Sequence, residues 1–241
     1  MKSLILTTAA LALTAGMTFA ASHGETIRMG TEGAYAPYNF LDDNGEVAGF
    51  ERELGDELCA RAELTCEWVT NEWDSIIPNL VSGNYDTIMA GMSITAERDE
   101  VIDFTQGYTQ PDPSVYLAMS DGVDLAGGVI AAQTSTIQAA FIASSGATLV
   151  EFATPEETIA AVKNGEADAV LADKSFLEPI AAEDGDLMML AQQELIGGGV
   201  GMGVRESDGE LRMKFDAAIT SMKEDGTLNA LIEKWGVGEP F

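Results

Sequence analysis

Residues 86–105 hold the side chains best suited to recognising an anion. An apolar run, Thr87–Met92, predicts a buried strand. It ends in small residues, followed by Ser93, by Thr95 as a helix N-cap, and by Arg98 in the first helical turn. A cation at that end opposes the helix macrodipole, which favours anions there. An arginine in such a place calls for an anionic partner. Ser93, free backbone N–H groups and the forked guanidinium together suit a carboxylate. The competing reading is a solvated helix face with Arg98 paired to Asp99 or Glu100. Local spacing leaves both open.

The start of the chain sets the compartment. Met1-Lys2-Ser3 is short and basic, and Leu4–Phe19 is apolar, small and uncharged. Residues 1–22 therefore read as a secretory signal peptide, with cleavage after Ala20 or Ser22. The run is too short and too rich in Ala and Thr for a good membrane span. The expected location is a bacterial periplasm. Cys59 and Cys66 agree with that, because six intervening residues make a loop short enough for one disulfide in an oxidising compartment. Two free buried thiols are the alternative. The only histidine, His23, lies beside the cleavage region, and two thiols alone make a poor zinc site. No metal and no cofactor are expected.

The formal net charge is −28, and loss of Lys2 with the leader makes it −29. Nucleic acid is excluded as a natural partner, since phosphate binding needs a basic face. Adsorption to anionic lipid is disfavoured for the same reason. Such a charge serves solubility in a salty habitat or concentrates cationic ligands. At 46% hydrophobic residues, the mature chain can bury a large core as one big domain or two small ones. The 11 methionines are scattered and read as core filler.

Strands and helices alternate. Ile27–Gly30, Trp68–Val69, Thr87–Met92, Val129–Ala132, Thr148–Phe152 and Asp168–Ala172 read as strands. Helices are expected at Glu51–Ala62, from Asp74 or Ser75 to Gly83, from Thr136, at Lys174–Ala182 and at Leu211–Met222. Thr154-Pro155-Glu156-Glu157 is a capping box with Pro at the first helical position, and that helix ends at Gly165. The pattern is α/β with mostly parallel sheets. Gln110-Pro111-Asp112-Pro113 and Gly197-Gly198-Gly199-Val200-Gly201 interrupt it and suit strands that cross between two lobes. A plain surface loop is the alternative for the glycine run.

These residues resemble the periplasmic solute-binding proteins of family 3, the polar amino-acid binders of ABC importers. The likeness runs from about Thr26 to Trp235. It rests on Gly30-Thr31-Glu32-Gly33-Ala34-Tyr35-Ala36-Pro37-Tyr38, Gly49-Phe50-Glu51-Arg52-Glu53-Leu54, Trp73-Asp74-Ser75-Ile76-Ile77-Pro78-Asn79-Leu80, Asp86–Phe104, Ala169-Val170-Leu171-Ala172-Asp173, Asp225-Gly226-Thr227-Leu228 and Lys234-Trp235. The cysteine pair sits where relatives similar to the lysine/arginine/ornithine binder have a disulfide. Arg52 departs from the family, which has an apolar residue there.

The resemblance implies a two-lobed α/β fold of the periplasmic binding protein type II, with two hinge strands and a ligand cleft between the lobes. Residues 23–111 and 198–241 would form lobe I, and 112–197 lobe II. A monomer that closes on its ligand and docks on an inner-membrane ABC permease is expected, not an enzyme. Arg98 and Ser93 would take the ligand α-carboxylate, with Thr136 and the start of its helix completing the anion site. Asp173 would take the α-ammonium, though it also reads as a helix N-cap. Carbonyls near Ala90 and Gly91 would accept from the same ammonium. Glu32 would meet the distal end of the ligand, with Tyr35 and Trp73 sandwiching its side chain; without the resemblance the two rings read as core. A carboxylate between two rings suits a guanidinium or ammonium. This favours arginine, lysine or ornithine. Basic-amino-acid binders carry serines at the Ala90-Gly91 positions, so glutamine and histidine remain alternatives. Some periplasmic dehydratases of prephenate-like or arogenate-like substrates share the fold, and fold alone does not decide between carrier and enzyme.

Overall fold

The computed structural model describes residues 26–241. The expected leader, its cleavage site and His23 lie outside the described residues. The chain opens with β1 (Ile27–Thr31), β2 (Ala34–Tyr35), β3 (Asn39–Leu41), β4 (Val47–Ala48), α1 (Phe50–Arg61) and β5 (Cys66–Thr70). A 3-10 turn at Trp73–Ser75 runs into α2 (Ile76–Val81), followed by β6 (Thr87–Ile88), α3 (Ala96–Asp99) and β7 (Asp103–Phe104). The middle of the chain is β8 (Ser114–Ala118), β9 (Val129–Gln133), α4 (Ile137–Ser144), β10 (Thr148–Phe152), α5 (Pro155–Lys163), β11 (Ala169–Asp173), α6 (Lys174–Glu183) and β12 (Met188–Glu194). It closes with β13 (Gly203–Val204), α7 (Gly209–Glu224) and α8 (Thr227–Trp235).

Two five-stranded sheets result. The first, ordered β5-β1-β6-β13-β7, is built from both ends of the chain, and the second, β10-β9-β11-β8-β12, from its middle. The expectation of mostly parallel sheets is corrected: each sheet has two parallel and two antiparallel pairings. The antiparallel strands adjoin the crossings. A strand entering or leaving a sheet through a crossing need not follow the βαβ path that enforces parallel pairing.

Both sheets are covered on both faces. In β8 every residue is buried, with Val115 and Leu117 in one apolar cluster and Tyr116 and Ala118 in another. The apolar faces of α1, α7 and α8 meet through Leu54, Leu58, Phe215, Ile219, Leu228 and Ile232. Helix α8, with Leu228 and Ile232 one turn apart, was not among the sequence expectations. Cys59 and Cys66 are joined in a disulfide that ties α1 to β5. Arg52 is accommodated on the surface, where it pairs with Asp56 at 2.7 Å and lies over the Trp68 ring.

The chain crosses between the sheets twice, and the crossings lie side by side. Tyr108 N donates to Val200 O at 2.8 Å, and Thr105 N to Met202 O at 3.0 Å. Val200 N and Met202 N donate to the hydroxyls of Thr109 and Thr105. Ile94 N donates to Gly199 O at 3.0 Å. The glycine run is therefore no plain surface loop. A side chain at Gly199 would clash with the Thr109 carbonyl oxygen. The strand expected over Thr87–Met92 is also shorter, ending at Ile88. Its apolar continuation is buried but turns out of the sheet at Gly91, whose φ of 62° is left-handed.

Candidate functional site

The nine residues expected to contact a ligand line one cleft between the two sheets. From the first half come Glu32 and Tyr35 after β1, Trp73 in the 3-10 turn, Ala90 and Gly91 beyond β6, and Ser93 and Arg98 at α3. From the second half come Thr136 at the start of α4 and Asp173 at the end of β11. Among the described residues no group of three or more His, Cys, Asp or Glu side chains is placed to hold a metal ion.

Arg98 is set by its helix cap. Thr95 caps α3, its hydroxyl accepting from Arg98 N at 3.2 Å. The guanidinium then turns inward rather than to Asp99 or Glu100. It donates to Ser93 O at 2.9 Å and to Ser135 O, across the cleft, at 3.4 Å. It also lies over the Trp73 ring, 5.3 Å from the centroid. Desolvation pulls its pKa down to about 10, against the opposing pull of Asp173 and Glu97. Most of its N–H donors remain for a carboxylate.

Asp173 occupies the N-cap position of α6, yet its side chain does not cap the helix. Its carboxylate accepts from the Tyr35 hydroxyl at 2.8 Å and from Gln138 Nε2 at 2.9 Å. Asp112, in the first crossing, caps α6 instead, its Oδ2 accepting from Ser175 N at 2.9 Å and Ser175 Oγ at 2.6 Å. Desolvation pushes the Asp173 pKa up to about 7, with hydrogen bonds and Arg98 opposing and Asp112 adding to the rise.

Glu32 sits at the other end of the cleft. Its Oε1 accepts from Gln133 Nε2 at 2.6 Å, a bond from the second sheet to a residue beside the first. Burial raises its pKa to about 7; the Gln133 bond opposes this and Glu72 adds to it. The aromatic residues are both buried, and each has a partner in the cleft. Tyr35 stacks on Phe176 at 4.3 Å with planes 12° apart, while Trp73 faces Arg98. The Thr136 hydroxyl caps α4, accepting from Ala139 N at 3.2 Å and donating to Gln133 O at 2.7 Å. It thereby aims the first turn of α4 at the cleft.

Beneath the floor lies Glu51, fully buried in α1. It accepts from Asn39 Nδ2 at 2.7 Å, from Gly91 N at 2.8 Å and from the Tyr108 hydroxyl. One carboxylate thus holds both the cleft floor and a crossing strand. Sequence reasoning missed Gln133, Gln138, Phe176, Asp112 and the role of Glu51. Gln133 lies one residue beyond the strand expected at Val129–Ala132 and Gln138 follows an expected helix start, so the signals were positional only.

This geometry can be set beside known proteins. The family model described as "Bacterial extracellular solute-binding proteins, family 3" matches residues 27–238. The chain is similar to the "Putative ABC transporter arginine-binding protein 2" of Escherichia coli, 32% identical over 237 residues that span 93% of this chain and 96% of that one. It is 30% identical over 255 residues to the lysine/arginine/ornithine-binding periplasmic protein of the same organism, covering 98% and 97% of the two chains. A solved structure from Silicibacter pomeroyi, a periplasmic His/Glu/Gln/Arg/opine family-binding protein in complex with lysine, superposes with a TM-score of 0.86. It is 75% identical and covers 87% of this chain and 96% of that one.

Proposed function

The chain belongs to family 3 of the bacterial extracellular solute-binding proteins, and from that premise we propose that its cleft binds a basic L-amino acid (arginine, lysine or ornithine) for an ABC importer. The charge balance of the cleft carries this reading. Its lining holds two carboxylates, Glu32 and Asp173, and one guanidinium, Arg98. The α-carboxylate and α-ammonium of any amino acid add one charge of each sign. A cationic side chain then neutralises the enclosed set, whereas a neutral side chain leaves one negative charge in excess and glutamate leaves two. Uncompensated charge is costly in a desolvated site.

In this reading Arg98, Ser93 and the start of α4 at Thr136 bind the α-carboxylate. Asp173 and the Ala90 and Gly91 carbonyls bind the α-ammonium. Glu32 meets the side-chain cation, with Tyr35 and Trp73 flanking the stem. The lobes divide at about residues 111–112 and 197–198, and closing brings Asp173 and Gln133 against Tyr35 and Glu32. The ligands for which the relatives are named, arginine and lysine among them, support the same class. The protein acts in the periplasm, its signal peptide removed, as a monomeric carrier that hands its ligand to an inner-membrane permease.

Glutamine is the second reading. A protonated Glu32 tolerates a neutral amide, and the pKa of Glu32 stands at about 7. A calorimetric screen of the common amino acids on ligand-stripped protein decides. Tightest binding of arginine, lysine or ornithine upholds the proposal, and tightest binding of glutamine, histidine or glutamate refutes it. Incubation with prephenate or arogenate leaves both unchanged if the protein is a carrier.

A further inference from the structure

We infer that Gln133 is a specificity-determining residue: it fixes the Glu32 carboxylate across the cleft without neutralising it, so that the distal end of the cleft takes a cation. The inference rests on the basic-amino-acid reading and adds the residue that enforces it.

Gln133 ends β9 and is buried. Its Nε2 has two acceptors, Glu32 Oε1 at 2.6 Å and Ala153 O at 3.1 Å. Both amide hydrogens are thus used, and the orientation of the amide is fixed, because a flipped amide would set its oxygen against two acceptors. The oxygen of Gln133 and the second oxygen of Glu32 are left as acceptors only. A guanidinium or ammonium supplies donors to both. While Glu32 is ionised, neither of these two oxygens offers a donor to the carbonyl half of a glutamine side chain.

The same device recurs at the other carboxylate. Gln138 Nε2 donates to Asp173 Oδ1 at 2.9 Å and to Ser114 Oγ at 3.0 Å. Each cleft carboxylate is therefore held by a neutral amide from the second half of the chain. A lysine or arginine in the place of Gln133 would orient Glu32 equally well, but it would cancel the charge a basic ligand must meet. The Glu32–Gln133 bond also joins residues attached to different sheets, so it spans the cleft between them.

The test is a double-substitution cycle read by calorimetry with arginine and with glutamine. Wild type, Gln133→Met, Glu32→Gln and the double variant are titrated after far-UV circular dichroism confirms folding. Gln133→Met is expected to lower the arginine-to-glutamine affinity ratio about ten-fold or more, as befits a lost hydrogen bond to a charged group. In the Glu32→Gln background the same substitution should change the ratio by no more than about three-fold, since the partner it acts through is gone. A ratio unchanged in Gln133→Met, or an equal fall in both backgrounds, overturns the inference. If Gln133→Met fails to fold, Gln133→Lys decides. It should weaken arginine about 100-fold while changing glutamine less than about ten-fold, and equal effects on both overturn the inference. A wild type that prefers glutamine overturns the basic-amino-acid reading itself, and that result is visible before any variant is made.

Discussion

Asp112 caps the helix that Asp173 begins. Asp173 has the extended backbone of an N-cap residue, φ −62° and ψ 141°, but its carboxylate points to Tyr35 and Gln138. The N–H of Ser175, which an N-cap side chain would ordinarily take, is taken by Asp112 at 2.9 Å. Pro111 and Pro113 flank Asp112 and restrict the backbone that presents it. The first crossing thus relieves Asp173 of a structural task and leaves it free for the cleft.

Asp112→Ala should therefore act twice. Loss of the cap should cost about 0.5–2 kcal/mol in urea unfolding. Asp173, now the nearest carboxylate, should turn toward the helix end, and amino-acid affinity should drop about ten-fold although Asp112 lines no part of the cleft. Asp112→Asn keeps an acceptor for Ser175 and should retain most of both properties. Destabilisation of Asp112→Ala with unaltered affinity would refute the link between the two residues.

What the sequence disclosed followed from local signals. Arg98 stands after the cap residue Thr95, Thr136 is itself a cap, and Asp173 ends an apolar strand, so each position is readable from its neighbours. The family resemblance then assembled these positions into one cleft. Gln133, Gln138 and Phe176 carried no such signal, because the cleft residues they hold, Glu32, Asp173 and Tyr35, lie 101, 35 and 141 residues away and meet them only through the tertiary fold. Strand direction was misjudged for the same reason, since pairing is decided by where the crossings run and not by composition. The apolar run after Ile88 read as strand because burial alone does not distinguish a strand from a buried irregular segment. Helix α8 was legible from Leu228, Leu231, Ile232 and Trp235 at helical spacing and was overlooked.

The disulfide should be oxidised in the exported protein. Its loop is short, so the cross-link should contribute about 2–3 kcal/mol by restricting the unfolded chain. Alkylation of the native, unreduced protein should leave its mass unchanged, and a double Cys→Ser variant should unfold at correspondingly lower urea. Two alkylated thiols in the native protein would contradict the pairing.

Arg98→Ala and Asp173→Ala should each abolish measurable amino-acid binding with little loss of stability. Each leaves a buried ligand charge unpaired, at a cost of about 3–5 kcal/mol. The fold should hardly suffer, because among the described residues neither side chain forms an ion pair, and their hydrogen bonds are to neutral groups. Affinity near that of wild type in either variant would refute the proposed clamp.

Acidity should govern both stability and binding. Burial in the cleft raises the pKa values of Glu32 and Asp173 from ordinary values of 4.5 and 3.8 to about 7, so between these limits the folded protein holds protons that the unfolded chain has released. Their contribution to ligand-free stability therefore falls as pH rises from about 4 to about 7, and levels off above. A basic ligand favours the ionised carboxylates, so arginine affinity should rise over the same range. Binding at about pH 6 should release protons, read from calorimetry in buffers of different ionisation enthalpy. Arginine affinity that is flat or falling between about pH 5 and about pH 8 would count against these carboxylates as the ligand's partners.

The sharpest prediction compares arginine with glutamine on wild type and on Glu32→Gln. In wild type at about pH 8, Glu32 is ionised, and arginine balances the cleft where glutamine leaves it one negative charge in excess. The substitution removes that charge without changing the shape of the side chain. Arginine then carries one positive charge too many, and its affinity should fall by about 1.5–3 kcal/mol, the worth of a hydrogen bond to a charged group. Glutamine should lose little or improve, since the amide of the variant can donate to its side-chain carbonyl. The two ligands should thus move in opposite senses or by very different amounts. Uniform weakening of both would indicate damage to the cleft at large, and unchanged arginine affinity would remove Glu32 as the partner of the ligand's cation, while the clamp of Arg98 and Asp173 on the amino-acid backbone would still stand.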